Sequence, residues 1–256
     1  MKEIAGKISN WLKDYLDKSC TKCFVIGVSG GVDSALSSTL CAESGVKTYV
    51  INIPIKSKQA NTDLSQLHCD WLCNKYTNVE QIYIDATPAY QAFENIFKET
   101  EDHNLLSNAN SKSRMRMMIL YYLATAKNGI VVGTGNKVED FGVGFYTKYG
   151  DGGVDISPIA DLSKTQVREM ALSLEISKEI LTAPPTDGLW EDSRTDESQI
   201  GASYEELEWA MSYLDKHDPL TENLTDRQKE VLEIYLSFNT KNKHKMEPIP
   251  VFKLGV

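Results

Sequence analysis

The feature that most constrains the fold is the hexapeptide SGGVDS at residues 29–34, together with its flanks. An apolar run at residues 24–28 predicts a buried β-strand, and small apolar residues at 35–42 predict a packed helix. A glycine turn in this position can bind an anion, because Gly30 and Gly31 tolerate positive φ and the first helical N–H groups are unpaired. The absence of a following lysine excludes a Walker loop. A plain strand-to-helix turn capped by serines is the alternative interpretation.

Asp33 is the unusual residue of this turn, since its carboxylate stands where phosphate oxygens are expected. A divalent cation that bridges the carboxylate and the phosphates would remove the repulsion between them. The turn therefore predicts a site for a nucleotide phosphate together with a metal ion such as Mg²⁺.

Composition restricts the class of protein. With 256 residues, 41% of them apolar and 25% charged, the chain is typical of a globular protein, and we expect one domain over residues 1–256 with a helical C-terminal elaboration. The formal net charge of −9 argues against a nucleic-acid partner, and no apolar run predicts a membrane span. The first residues lack a signal-peptide pattern, and the five cysteines are expected to be structural thiols in a reducing, cytoplasmic setting.

Strands and helices alternate along the first half of the chain. Apolar runs predict further strands at residues 47–53, 81–85 and 129–133, with helices between them. Such alternation predicts an α/β fold, a parallel twisted sheet with helices on both faces in a Rossmann-like three-layer arrangement. Ligands bind beyond the carboxyl ends of the strands in such sheets, which is where SGGVDS lies.

Two helices are predicted to carry more apolar surface than one core covers. One is amphipathic, with its apolar face formed by Ile4, Ile8, Trp11, Leu12, Tyr15 and Leu16. The other, at residues 113–126, is apolar nearly all round and should be buried on most sides. We therefore expect a two-fold homodimer that buries both helices.

Two loops are predicted to serve the site. Residues 141–158 are dense in glycine, aromatic and acidic residues, as in site-lining loops, although Asp151 and Asp155 could merely form turns. Residues 184–201 mix prolines and acids with Leu189 and Trp190, which favours a lid that closes over bound ligands. A permanently packed surface loop is the alternative for the second segment.

Five blocks in this order resemble the NAD synthetase family, and the resemblance covers nearly the whole chain. Besides SGGVDS they are NANSKSRMRM (108–117), GTGNKVED (133–140), FYTKYGDGGVDISPI (145–159) and PTDGLWEDSRTDE (185–197) followed by SYEEL. The resemblance implies an adenine nucleotide alpha hydrolase-like fold of the ATP pyrophosphatase superfamily. It also implies amidation of deamido-NAD, in which the carboxylate is adenylated by ATP, pyrophosphate is released, and ammonia displaces AMP. Glutamine-dependent members carry a further hydrolase domain, which 256 residues do not accommodate, although a separate amidotransferase subunit stays an alternative.

The resemblance assigns roles to individual residues. The residues that match ATP-binding positions are Gly27, Val28, Ser29, Gly30, Gly31, Val32, Asp33, Ser34, Thr134, Lys164 and Thr186. Those that match positions for deamido-NAD are Asn110, Arg114, Lys148, Asp155, His244 and Lys245. Asp33 and Glu139 match the magnesium ligands. Asp33, Lys164 and Asp151 are the expected catalytic residues, with Asp151 near the nicotinate ring to hold ammonium and remove its proton.

Two other functions remain open at this point. One is a different enzyme of the superfamily, such as a tRNA-modifying or GMP-forming synthetase, against which the GTGNKVED and GDGGVD blocks argue. The other is a regulatory module that senses ATP without consuming it. A metal-binding pair at Asp33 and Glu139 favours catalysis over sensing.

Overall fold

The structure, a computed structural model, describes residues 1–98, 100, 104–185, 195–216 and 224–254. Its sheet has four parallel strands in the order β3-β2-β1-β4. The strands are β1 (Cys23–Gly27), β2 (Thr48–Asn52), β3 (Val79–Tyr83) and β4 (Gly129–Val131). The predicted α/β fold with a parallel sheet is confirmed.

Helices connect and extend the sheet. They are α1 (Lys2–Ser19), α2 (Val32–Glu43), α3 (Gln59–Lys75), α4 (Thr87–Phe97), α5 (Leu105–Lys127), α6 (Lys164–Ser173), α7 (Lys178–Thr182), α8 (Asp196–Ile200), α9 (Tyr204–Lys216) and α10 (Asp226–Met246). A short π-helix spans Lys137–Val143. Within the described ranges, no helix combines the length and apolar character needed to cross a bilayer.

Alternate residues of β1 face opposite layers of the molecule. Phe24 and Ile26 belong to the core that contains the buried residues of α1, α2 and α6. Cys23 and Val25 belong to a second core, against α4 and α5. Because a strand projects successive side chains to opposite faces, burial on both faces gives three layers. Helices on both faces of the sheet are therefore confirmed.

Helix α5 differs from its prediction in length and in burial. It begins at Leu105 rather than near residue 113, because Asn104 caps it by accepting hydrogen bonds from two backbone N–H groups of the first turn. Met118 and Tyr122 are 60% and 74% exposed. The expectation that this helix is buried on most sides is thus wrong for the single chain.

Helix α1 divides the apolar face that the sequence predicted for it. Leu12 and Leu16 are buried, together with the small residues Ala5 and Ser9, on the side of α1 that packs against α2 and α6. Trp11 is 45% exposed on the outside. The buried face of the helix is therefore narrower than expected. The small residues on this face permit close packing against the neighbouring helices.

The C-terminal helices form a third core with the π-helix. Val138 and Val143 of the π-helix pack with Leu207 of α9 and Val231 of α10. The predicted capping box at the start of α9 is confirmed by reciprocal hydrogen bonds between Ser203 and Glu206. These helices hold the π-helix against the carboxyl ends of the strands. The description as one domain with a helical elaboration stays a prediction.

Part of the predicted lid lies outside the described residues. This part is residues 186–194, which include Thr186, Leu189 and Trp190. The lid prediction therefore stays a prediction.

Candidate active site

A pocket of about 300 Å³ opens beyond the carboxyl ends of β1, β2 and β4. Gly27 and Asn52 line it from the ends of β1 and β2, and Thr134 lines it from the segment after β4. All of residues 27–34 contribute to its wall. The pocket thus lies where an open parallel sheet places its ligands.

The phosphate loop, residues 27–34, joins β1 to α2. Gly30 has φ +92°, and Gly31 is the extended N-cap of α2. Ser34 Oγ donates to the Gly31 carbonyl oxygen at 2.9 Å and lies 3.0 Å from Ser29 Oγ. The two serines therefore stabilise the turn itself. The first-turn N–H groups of α2 supply the anion-binding character, because they precede the first helical hydrogen bond.

Asp33 and Glu139 converge on the same two donors. Lys164 Nζ lies 2.5 Å from Asp33 Oδ2 and 3.0 Å from Glu139 Oε1. Asn136 Nδ2 lies 2.7 Å from Glu139 Oε2 and 3.3 Å from Asp33 Oδ1. The structure thus brings together three residues that the sequence assigned to ATP, metal or catalysis.

Local structure around the π-helix directs Glu139 into this cluster. Asn136 Oδ1 accepts hydrogen bonds from the N–H groups of Val138 and Glu139 and so caps the helix. Gly135 must lack a side chain, since a Cβ atom there would collide with the Asp140 carboxylate. Tyr204 of α9 donates a further hydrogen bond to Glu139 Oε1. The C-terminal helices therefore help to orient a carboxylate that lies beside β4.

The cluster carries excess negative charge. Burial raises the pKa of Asp33, with Lys164 opposing the shift and Glu139 adding to it. Burial also raises the pKa of Asp140 well above its usual range, and Asp151 and Glu139 add to that shift. Burial lowers the pKa of Lys164, but Asp33 and Glu139 raise it by more, so this ammonium group stays charged. Lys164 thus offsets only part of the local negative charge.

This donor set fits Mg²⁺. Mg²⁺ is commonly held by one or two carboxylates together with substrate phosphates. Asp33 and Glu139 supply the carboxylates beside the phosphate loop, and both line the pocket. No group of three or more His, Cys, Asp or Glu side chains arranged for a metal occurs in the described part of the chain.

Asp151 lies on another wall of the same pocket. Its Oδ1 accepts hydrogen bonds from Ser113 Oγ at 2.7 Å and from the Thr147 N–H at 3.0 Å. Asp151 lines the pocket, and burial raises its pKa, while the hydrogen bonds from Ser113 and Thr147 oppose the shift. A carboxylate with a raised pKa accepts a proton more readily than a solvated aspartate does.

Five of the residues assigned to deamido-NAD lie together beside this wall. Asn110 Oδ1 accepts a hydrogen bond from Thr147 Oγ1 at 2.7 Å, and Arg114 Nε donates to the Lys148 carbonyl oxygen at 3.3 Å. Lys148 Nζ donates to the carbonyl oxygen of His244. Lys245 Nζ donates to the carbonyl oxygens of Gly144 and Tyr146 at 2.9 and 2.8 Å. The segment 144–148 thus connects the start of α5 to the end of α10.

Asp155 has a different environment from the other assigned residues. Its Oδ2 accepts from the Val131 N–H at 2.7 Å, and its Oδ1 accepts from the Tyr121 hydroxyl at 2.9 Å. One oxygen of Asp155 therefore binds the end of β4, and the other binds α5. Thr134 and Lys164 line the pocket, whereas Thr186 lies outside the described residues.

Several side chains of the site are not among the residues to which the resemblance assigns a role. Arg116, rather than Arg114, lines the pocket, where its Nε donates to the Ile53 carbonyl oxygen at 3.0 Å. Asn136 stands within the GTGNKVED block and could have been identified from its place three residues before Glu139. Tyr204 stands within SYEEL, but its contact with Glu139, 65 residues away, carries no local signal.

Comparison with known proteins agrees with this geometry. The NAD synthase family model matches residues 4–249. The NH₃-dependent NAD⁺ synthetase of Methanosarcina acetivorans is 34% identical over 97% of both chains. Among solved structures, the NMN synthetase of Francisella tularensis has a TM-score of 0.86 and 31% identity over 99% of this chain and 98% of its own. The NH₃-dependent NAD synthetase of Campylobacter jejuni has a TM-score of 0.78 and 26% identity over 98% and 99%. The chain therefore belongs to the NAD synthase family.

Proposed function

We propose that this protein converts deamido-NAD to NAD with ATP and ammonia. In this reaction a nicotinate carboxylate oxygen attacks the α-phosphorus of ATP and pyrophosphate leaves. Ammonia then attacks the carboxyl carbon of the adenylate, AMP leaves with the bridging oxygen, and the nitrogen loses a proton. A carboxylate needs this activation because its own oxygen is a poor leaving group.

One observation carries the proposal. The phosphate loop, the cluster of Asp33, Glu139 and Lys164, and the Asp151 carboxylate line a single pocket. The loop suits the phosphates of ATP, and Asp151 offers a proton acceptor within the same space. A module that only senses ATP has no use for that second group. The geometry thus supports a reaction at a phosphorus atom of ATP rather than binding alone.

The phosphate loop and Lys164 are the groups that stabilise the negative charge developing around phosphorus. The N-terminus of α2 carries a partial positive charge that attracts phosphate oxygens. Lys164 stays protonated beside Asp33 and Glu139, so its ammonium group can also donate to phosphate. Such donors stabilise the charge that develops in the transition state.

Asp33 and Glu139 are the residues that would hold Mg²⁺. When bound, the ion would neutralise charge on the phosphate oxygens and polarise the phosphorus for attack. Asp33 lies in the first turn of α2, and Glu139 lies in the π-helix.

Asp151 is positioned to serve the second half-reaction. Its carboxylate can hold an ammonium ion by charge and then accept the proton that the attacking nitrogen releases. Ser113 and Thr147 keep Oδ1 fixed, which leaves Oδ2 for this task. The proposed contacts of the dinucleotide are the five residues on or beside segment 144–148, namely Asn110, Arg114, Lys148, His244 and Lys245.

A product assay tests this function. The purified protein receives deamido-NAD, ATP, Mg²⁺ and ammonium, and we expect NAD, AMP and pyrophosphate in equal amounts. Replacing ammonium by glutamine should abolish NAD formation if no amidotransferase subunit is added. Formation of ADP and phosphate, or ATP cleavage without NAD, would reject the proposal.

The similarity to the Francisella tularensis NMN synthetase favours a second candidate substrate. Nicotinate mononucleotide carries the same reacting carboxylate and lacks the AMP half of deamido-NAD. Comparing kcat/KM for the two acids under saturating ATP and ammonium decides between them. We expect the dinucleotide to have the higher value, and a higher value for the mononucleotide would assign the second activity.

We also propose a homodimer with its two-fold contact on α5. The support is the exposed apolar surface of this helix, including Met118 and Tyr122. Since α1 and α5 cover opposite faces of the sheet, one two-fold contact does not readily bury both. The substrate residues Asn110 and Arg114 also lie on α5, so the contact would adjoin the substrate site.

A further inference from the structure

Helix α3 forms one wall of the phosphate loop, although it contributes no residue to the motif. Ser65 lies near the second turn of α3 and is 1% exposed. Its Oγ donates a hydrogen bond to the Val28 carbonyl oxygen at 2.7 Å. This bond connects α3 directly to the base of the loop.

Other elements hold both backbone polar groups of Val28. Its N–H donates to the Ile51 carbonyl oxygen of β2 at 2.9 Å, and its carbonyl oxygen accepts from Ser65. Since β1 ends at Gly27, this carbonyl lies beyond the regular strand. Ser65 therefore supplies the hydrogen bond that a neighbouring strand supplies elsewhere in the sheet.

A second contact with α3 lies at Gly30. A Cβ atom at this position would be 2.8 Å from the Asn61 carbonyl oxygen and 3.1 Å from the Ser65 nitrogen. The loop therefore has no room to move toward α3. The Ser65 hydrogen bond holds the base of the loop against the same helix. The loop is therefore prevented from moving either toward α3 or away from it.

We propose that Ser65 is a positioning residue for the nucleotide phosphates. By binding the Val28 carbonyl oxygen, it keeps this partial negative charge directed at α3 and away from the phosphates. The N–H groups at the start of α2 then face the phosphate oxygens without a competing carbonyl. The inference rests on the proposed function only in taking nucleotide phosphates as the ligand of this loop.

The structure offers a matched control for Ser65. Ser9 is 4% exposed, and its Oγ donates to the Leu40 carbonyl oxygen at 3.0 Å. This bond joins α1 to the far end of α2, away from the phosphate loop. Ser65→Ala and Ser9→Ala each remove one buried hydroxyl–carbonyl bond, so we expect both to lower the melting temperature by roughly 2–8 °C.

Calorimetric binding of ATP with Mg²⁺ to the full chain separates positioning from stability. We expect Ser65→Ala to weaken ATP binding about tenfold and to lower kcat/KM for ATP by a similar factor, with KM for ammonium unchanged. Ser9→Ala should bind ATP as the wild type does. Ser65→Thr keeps the hydroxyl and should restore ATP binding.

Two results would overturn the inference. One is equal ATP affinity in Ser65→Ala and Ser9→Ala, and the other is a loss in Ser65→Thr as large as that in Ser65→Ala. A wild-type protein that binds ATP but forms no NAD would reject the proposed function, and the comparison of the serine variants would still decide the role of Ser65.

Discussion

Asp33, Glu139, Lys164 and Asn136 form a closed network in which each carboxylate meets both donors. The four residues come from the start of α2, the segment before the π-helix, the π-helix itself and the start of α6. In so buried a network, removing one member leaves charges without partners. Substitutions here should therefore affect both catalysis and stability, and suitable controls are surface residues of the same type.

Asp33→Asn is expected to lower kcat on the order of 10²-fold or more, because it removes charge that the transition state requires at phosphorus. Steady-state NAD formation over a range of Mg²⁺ concentrations measures the effect. Asp161→Asn is the control, since the Asp161 side chain is 95% exposed and forms a surface ion pair with Lys137. Full activity of Asp33→Asn with unchanged magnesium dependence would contradict the metal assignment.

Gly30→Ala should reduce stability more than Gly45→Ala and should also weaken ATP binding. Both glycines have positive φ, +92° and +75°, so both substitutions introduce backbone strain of roughly 1–2 kcal/mol. Only at Gly30 would the new Cβ also meet α3, whereas Gly45 has open space around it. Chemical denaturation and ATP titration of both variants measure the difference. Equal losses at the two positions would argue against close contact between the loop and α3.

At the scale of elements, the sequence predicted what depends on local apolar runs. The first two strands were placed within about one residue, because β1 and β2 are short buried runs between polar or glycine-rich segments. The third was predicted two residues late, since Val79 pairs with Thr48 at the start of the strand. The π-helix carried no local signal, because its geometry depends on the fit of Asp140 over Gly135 and on contacts with α9 and α10.

His68 gives the α2–α3 contact a pH dependence. Its Nε2 lies 3.0 Å from Ser38 Oγ and 3.1 Å from the Ala35 carbonyl oxygen, both on α2. Burial lowers its pKa from 6.5 to about 4, although the bond to Ala35 opposes the shift. The unfolded chain therefore binds a proton before the folded protein does as the pH falls. The folded state loses stability between pH 6.5 and 4, by about 3 kcal/mol in total.

His68→Gln should remove this contribution. As the pH falls from 6.5 to 4, we expect the unfolding free energy of the wild type to decrease relative to that of the variant. Denaturation at a series of pH values measures it, and subtracting the two curves cancels the titration of the carboxylates. A difference that does not change over this range would contradict a neutral, buried His68.

At the scale of the whole molecule, the site depends on long-range contacts that a single sequence does not contain. The motifs predicted Asp33, Glu139, Lys164 and Asp151, and the fold brings them to one pocket. Tyr204 was not predicted, because its contact with Glu139 exists only once α9 packs on the π-helix. Blocks of sequence thus predict which residues serve the chemistry, while their supporting neighbours follow from packing.

A dimer through α5 predicts a mass near twice 28.7 kDa in sedimentation at micromolar concentration. Introducing charge with Met118→Glu and Tyr122→Glu together should shift the protein to monomer, because two carboxylates would be buried without partners. Trp11→Glu on the opposite layer should leave the dimer intact. A wild-type monomer would reject the dimer, and dissociation by Trp11→Glu alone would move the contact to α1.

Oxygen transfer tests the central claim, that the pocket adenylates a carboxylate before ammonia attacks. Deamido-NAD labelled with ¹⁸O in both oxygens of the nicotinate carboxylate is converted with ATP, Mg²⁺ and ammonium, and AMP is analysed by mass spectrometry. If the carboxylate attacks the α-phosphorus and ammonia attacks the carbon, each AMP carries one ¹⁸O and NAD keeps the other. Unlabelled AMP, or ¹⁸O in inorganic phosphate or pyrophosphate, would contradict the account.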